Sequence, residues 1–441
     1  MLRLHLDHSR RRDVAPPRPA RERVERRERA EGPPSRLGAA LGQVFRQLAF
    51  AANWPLLGAI FVLVTLGVVS IYADTREDAT REWAKQIAFV ALGLACMAAF
   101  QAINYQVLGR YAWPFYFLSL ALIVYTVIGG FADGKGMPLP GVRKINGAYP
   151  WINIRLSSSF VFSLQPSELA KIAFVMVMAR YLRFRSNYRT LKGLLPPFAL
   201  AFVPLVLILK QPDLGTALVF VPVLFAMLFV AGAKLRHLAA VAGLGLVLAP
   251  VIWLAGTSVP VLKHLPALVK GYQRERVLAM FSHDPKTRQG SGFQQEHAMI
   301  ALGSGGFVGK GFGNIPVGEI VPESHNDMIF ALIGEQFGFF GSAAVLGAFL
   351  VLFAAGINIS GNTREPFGRL VAAGIVSVFA GQTFINLMVA MRMMPVTGVT
   401  LPFVGYGGSS LLASFMAAGL LLNIGQNRPL VMAKDSFEFG G

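Results

Sequence analysis

The sequence predicts an all-α integral membrane protein with about ten transmembrane helices and a large extracytoplasmic loop between helices 7 and 8. Three observations carry this. Hydrophobic residues make up 54% of the 441-residue chain and charged residues only 15%, whereas soluble domains carry about 25% charged residues. Long apolar runs recur, close to the roughly 20 helical residues that cross a bilayer. The scarce charge is also unevenly spent: between Tyr272 and Gly341 lie Arg274, Glu275, Arg276, Asp284, Lys286, Arg288, Glu296, His297, Lys310, Glu319, Glu323, His325 and Asp327.

In chain order, residues 1–50 are rich in Arg, Pro and Glu and lack an apolar core; they are expected to form a disordered cytoplasmic tail. The membrane domain is expected over 51–430, with spans near 54–73, 86–104, 111–130, 166–183, 194–209, 214–232, 237–256, 327–357, 368–391 and 407–425. A short C-terminal tail, 431–441, follows. The span at 194–209 is short and has Pro196-Pro197 near its start, so it is the weakest of the ten. The span at 327–357 is too long for a perpendicular crossing, so it must tilt or begin outside the hydrocarbon. Positively charged short loops sort to the cytoplasm. Arg180, Arg183, Arg185, Arg189 and Lys192, then Lys234 and Arg236, then Arg364 and Arg369, then Arg428 and Lys434 fall on one side of a ten-span chain. Both termini are therefore expected inside. The long segments 131–165 and 257–326 fall outside, and their basic residues offer a surface for an anionic ligand.

Composition also excludes classes. The single cysteine, Cys96, permits no intrachain disulfide and no cysteine-based metal site. His264, His283, His297 and His325 show no zinc-ligand spacing, so no metal site is predicted. The net charge of +18 suits anionic lipids; nucleic acid is not expected as a partner, because the basic residues are scattered among membrane loops.

Polar groups inside apolar surroundings mark the interior. Glu168 and Lys171, three residues apart at the start of a span, share a helix face and form either a structural pair or part of a cavity wall. Asp213 precedes Leu214-Gly215-Thr216 and is placed to cap the next helix. Glycine-rich GSGGFVGKGFG (303–313) lacks a Walker pattern; it makes either a tight re-entrant turn or an anion-binding nest. The stretch 394–412, with Pro395, Gly398, Pro402, Tyr406 and Ser409, is irregular backbone of the kind that lines a wet cavity.

Taken together, QPSELAK (165–171), QPDLGTA (211–217), YQRER (272–276), the GSGG and GKG pieces (303–311), PESHND (322–327), IGEQ (333–336) and PVTGVTLPFVGYGGSS (395–410) resemble the SEDS family (shape, elongation, division and sporulation), and GSGGFVGKGFG resembles its RodA branch. The resemblance implies a peptidoglycan glycosyltransferase of the bacterial cytoplasmic membrane. Such an enzyme polymerises lipid II on the outer face, handles undecaprenyl-pyrophosphate-linked glycan, and works with a class B penicillin-binding protein and other elongation or division machinery. It also implies a catalytic aspartate upstream of GSGG. Thr287 stands at the matching offset, so an insertion makes Asp284 the candidate; without one the carboxylate is missing. Asn326, Gln336 and Gly405 also depart from the family's usual Thr, Glu and Ser.

The chemistry reads consistently. A sugar hydroxyl needs a base, here Asp284. A pyrophosphate leaving group needs cations, here Arg274, Arg276, Lys286, Arg288 and Lys310. Glu168, Lys171, Asp213, Glu323, His325, Asp327, Glu335, Tyr406 and Ser409 are assigned structural or cavity-lining roles. No cofactor is required by this reading, and a divalent cation is left open. The alternatives are a lipid II flippase, using Glu168, Lys171 and Asp213 along its route, and a catalytically silent scaffold that activates a partner synthase.

Overall fold

The computed structural model describes residues 53–75, 81–137, 139–142, 144, 148–155, 161–255, 269, 271–281, 292–321 and 324–426. Residues 1–52, where the sequence suggests a tail, lie outside the described residues.

The long helices are α1 (Trp54–Thr75), α2 (Glu82–Ala102), α4 (Ala112–Asp133), α5 (Pro166–Arg183), α6 (Leu195–Lys210), α7 (Leu214–Ala231), α8 (Leu235–Leu254), α11 (Ile329–Asn362), α12 (Pro366–Ala390) and α13 (Gly408–Gln426). Short helices α3 (Tyr105–Arg110), α9 (Gly271–Phe281) and α10 (Phe293–Ser304) lie between them. Nine described helices are long and apolar enough to cross a membrane. The remaining long helix, α5, carries Glu168, Lys171, Arg180 and Arg183. It is surrounded by protein, with almost every residue from Pro166 to Ala179 buried, so it has no need of a lipid-compatible surface.

The core follows from that arrangement. Helix α5 packs against α4, α12 and α7, while α12 also packs on α7 and α11. Helix α13 packs along α2 through small residues: a Cβ on Gly93 would sit 2.2 Å from the Phe415 ring, and one on Gly419 would meet the Met97 backbone at 2.4 Å. Close backbone approach at small residues is how helices associate in lipid, where no hydrophobic force drives them together. Helix α8 is the opposite case. Leu238 is its one buried residue, so it presents apolar side chains almost all round.

Two features depart from the sequence expectation. The segment before α5 contains a hairpin, β1 (Ile152–Arg155) antiparallel to β2 (Val161–Leu164), in the register Ile152 opposite Leu164. The long span also does not run unbroken. Gly338 has φ +63° and ψ −151° inside α11, which splits it into a short arm beside the cavity loop and a long arm from Phe339 to Asn362. The glycine-rich segment repairs the break. The N–H groups of Lys310 and Gly311 donate to the carbonyls of Glu335 and Gln336, and those of Phe339 and Phe340 donate to Gly306 and Phe307. Backbone groups freed by a broken helix at membrane depth must find such partners. GSGGFVGKGFG is thus a brace on a helix break, the turn-forming alternative of the sequence reading. Two of its glycines are needed for contact: a Cβ on Gly305 would lie 1.9 Å from the Gly334 carbonyl oxygen, and one on Gly309 2.1 Å from that of Gln336.

Candidate functional site

One end of the bundle opens into a cavity of about 600 Å³, within the range of small-molecule sites. Pieces from several parts of the chain wall it. The turn from β2 into α5 gives Ser163 and Gln165; the turn before α7 gives Gln211 and Asp213. Helices α9 and α10 give Arg276 and Gln294, the loop before α11 gives Asn326 and Asp327, and the segment 396–410 gives Thr397, Thr400, Tyr406, Ser409 and Ser410. Trp151 and Phe89 add aromatic wall. Carboxylates, amides, hydroxyls, one guanidinium and aromatic faces form a donor and acceptor set suited to a polyhydroxylated ligand that carries an anion.

The walls are held by a network. Asp213 caps α7, its Oδ1 accepting the Thr216 N–H at 3.0 Å, while its Oδ2 accepts from the Gln165 amide at 3.2 Å. Burial pushes the Asp213 carboxyl up, with the Thr216 hydrogen bonds opposing. Ser409 Oγ donates to the Ser163 carbonyl at 2.6 Å and accepts the Gln165 N–H at 2.9 Å, pinning α13 to the hairpin. The buried Asn386 amide on α12 donates to the carbonyls of Asp327 and Val399, fixing two loops at once. Arg276 Nη1 donates to the Val396 carbonyl at 3.1 Å while facing the cavity. Burial, with the Glu82 anion nearby, pushes the Tyr406 phenol up to about 12, so it stays a neutral donor.

His325 lies behind this wall. Its Nδ1 is 2.9 Å from Asp74 Oδ2 and its Nε2 is 2.7 Å from Glu82 Oε2. Burial alone would lower its pKa, but the two carboxylates outweigh burial and raise it to about 9.

Several expected site residues lie elsewhere. Lys310, expected among the substrate's cations, sits 2.5 Å from Glu335 Oε1. Glu335 is fully buried and also accepts the N–H groups of Val317 and Gly318. The pair is structural, because the buried carboxylate needs its donors. Arg274 donates to the Ala255 carbonyl at 2.6 Å and does not line the cavity. Glu168 and Lys171 bond each other at 2.8 Å, nearly fully buried, and are not among the cavity-lining residues. Asp284, Lys286, Arg288 and Glu323 lie outside the described residues. Among the described residues no group of three or more His, Cys, Asp or Glu side chains is arranged to hold a metal ion, so the divalent cation has no donor set there.

Thr400 and Asn386 were not singled out from sequence, and Asn326 was noted only as a departure from the family pattern. An amide inside an apolar helix, as at Asn386, is a usable signal, since a buried amide must be satisfied.

A family model described as cell cycle protein, FtsW/RodA/SpoVE, matches residues 46–429. A probable peptidoglycan glycosyltransferase FtsW from Trichlorobacter lovleyi is 35% identical over 383 residues, covering 84% of this chain and 92% of the relative. The stage V sporulation protein E of Bacillus subtilis is 33% identical over 376 residues, covering 82% and 94%. Among solved structures, a chain from a peptidoglycan synthase complex, described for its coordination of polymerization and crosslinking, matches with a TM-score of 0.69 at 28% identity, covering 87% of this chain and all of that one. The rod shape determining protein RodA of Thermus thermophilus matches with a TM-score of 0.60 at 27% identity, covering 86% and 98%. The leaning toward RodA drawn from GSGGFVGKGFG is not supported, since the curated relatives are named FtsW and SpoVE. That segment braces a helix, and such a role says little about subfamily.

Proposed function

Because the chain belongs to the FtsW/RodA/SpoVE family, the SEDS proteins, we propose that it is a peptidoglycan glycosyltransferase that polymerises lipid II at the outer face of the bacterial cytoplasmic membrane. The observation that carries the reading is the cavity: a polar chamber at one end of an apolar bundle, with Arg276 and the carboxylates Asp213 and Asp327 on its walls. A lipid-linked sugar keeps its tail among the apolar helices while its polar head enters such a chamber. Arg276 would meet the pyrophosphate, whose charge grows as it leaves. The amides and hydroxyls would orient the sugars, and Asp284 would take the proton from the attacking hydroxyl. Asp284 lies eight residues after Arg276 and ten before Gln294, and both of those line the cavity. Lys286 and Arg288 would add cations in the same stretch.

A class B penicillin-binding protein is the proposed partner, in keeping with the synthase complex among the similar structures. The relatives named FtsW favour division over elongation as the process served. The pairing of Glu168 with Lys171, away from the cavity lining, supports the transferase reading over the flippase. The test is glycan polymerisation by purified protein and partner supplied with lipid II. Wild type is expected to make polymer and Asp284→Ala none; full activity in Asp284→Ala removes it from the role of base.

A further inference from the structure

The loop that carries Asn326 and Asp327 into the cavity is anchored by its own neighbour. His325 reaches away from the cavity to Asp74, at the end of α1, and to Glu82, at the start of α2. Ser324 Oγ also donates to Asp74 Oδ2, at 2.9 Å. Both ring nitrogens therefore face carboxylate oxygens. An ionised carboxylate only accepts hydrogen bonds, and a neutral imidazole has one N–H to give. Nδ1 makes a hydrogen bond to Asp74, while Nε2 meets Glu82 Oε2 at 2.7 Å as a close charge pair out of hydrogen-bond alignment. A neutral ring would turn a lone pair on that carboxylate, so the arrangement calls for the imidazolium.

The same residue holds the opposite wall. The His325 carbonyl accepts the Tyr406 N–H at 2.9 Å, and the two rings meet edge to face with centroids 5.4 Å apart. Tyr406, Asn326 and Asp327 all line the cavity. One cation thus ties three cavity residues to the α1–α2 end of the bundle, from which, among the described residues, Phe89 alone lines the cavity.

We infer that His325 is a positioning residue for the proposed glycosyl transfer: as an imidazolium clamped between Asp74 and Glu82, it sets where Asn326, Asp327 and Tyr406 stand in the cavity, and losing its proton releases them. The inference rests on the proposed function for its activity readout only. The charged and titratable groups around the clamp are Asp74 on α1, Glu82 on α2 with Lys85 acting on Glu82, and Tyr406 on the opposite loop. The pKa of His325, about 9, lies above its unfolded value near 6.5. Its stabilising contribution is therefore fully present below about pH 6.5 and is lost as pH rises through about 9.

Two measurements on the full-length protein in nanodiscs test this. The first is hydrogen exchange at the Tyr406 amide, which requires no substrate. The second is the pH profile of polymerisation with lipid II. His325→Gln is expected to speed Tyr406 exchange and to lower polymerisation on the order of tenfold or more, as misplacement of positioning groups does. Glu82→Gln removes one of the two carboxylates that hold the proton, and should move the alkaline limb of the profile down by about one pH unit. Unchanged exchange in His325→Gln overturns the inference. So does faster exchange with an unmoved limb in Glu82→Gln, which makes His325 a structural tie only. If wild type makes no polymer, the proposed function falls, while the exchange arm still decides the clamp.

Discussion

A buried carboxylate is the most demanding single residue in this chain. Glu335 has no solvent exposure and relies on Lys310 and two backbone N–H groups. Glu335→Ala would strand the Lys310 ammonium and both N–H groups, at a cost on the order of 3–5 kcal/mol. A marked drop in melting temperature of the detergent-solubilised protein is the expected result; a melting temperature equal to wild type would show that the pair carries no weight. Sequence reasoning placed Glu335 among structural residues but sent Lys310 to the substrate, because the partners stand 25 residues apart and nothing local links them. The same limit hid the clamp: His325 was visible as a polar residue near the cavity, while Asp74 lies 251 positions away. Asp213 was legible because a cap is a local event, settled within three residues by the Thr216 N–H.

Elements were legible to the extent that one physical rule governed them. All ten long helices stand where apolar runs put them, and α5 begins at Pro166 and ends at Arg183 as its sequence suggests. The hairpin was missed because two four-residue strands leave too short a pattern to see. The break at Gly338 was missed because Gly334, Gly338 and Gly341 look alike in the sequence, and a glycine inside a helical pattern is tolerated without marking a break. Gly338→Ala tests the brace. Its φ of +63° disfavours any side chain, and the added Cβ would lie 2.4 Å from the Gly309 nitrogen. We expect a loss above about 1–3 kcal/mol, read as lower thermal stability and faster protease cleavage within 303–313. An unchanged digestion pattern would mean that the brace tolerates displacement.

At the scale of the molecule, the cavity was legible as a location but not as a shape. The sequence pointed to 272–327 and 394–412 as its walls, and both contribute; the walls from 163–165 and 211–213 come from segments read as caps and connections. Orientation is the expectation drawn from the basic short loops, and it has a direct check. A cysteine at Met391, 40% exposed near the cavity end, should react with a membrane-impermeant maleimide in intact spheroplasts. A cysteine at Phe184, 67% exposed at the opposite end, should not. The reverse pattern would turn the protein over and end the case for chemistry at the outer face.

The burial of α5 has a consequence for how the chain is made. A segment with Glu168 and Lys171 in its first two turns enters lipid poorly by itself, since each ionised side chain deep in hydrocarbon costs about 3 kcal/mol even on the most lenient scale. Its main neighbours are α4, already synthesised, and α12, which leaves the ribosome nearly 200 residues later. During translation α5 must therefore wait beside α4, its charges sheltered by each other, until α12, in the last fifth of the chain, arrives to enclose it. Chains cut short before Pro366 would keep that helix half-housed, an exposed defect that membrane quality-control proteases can recognise.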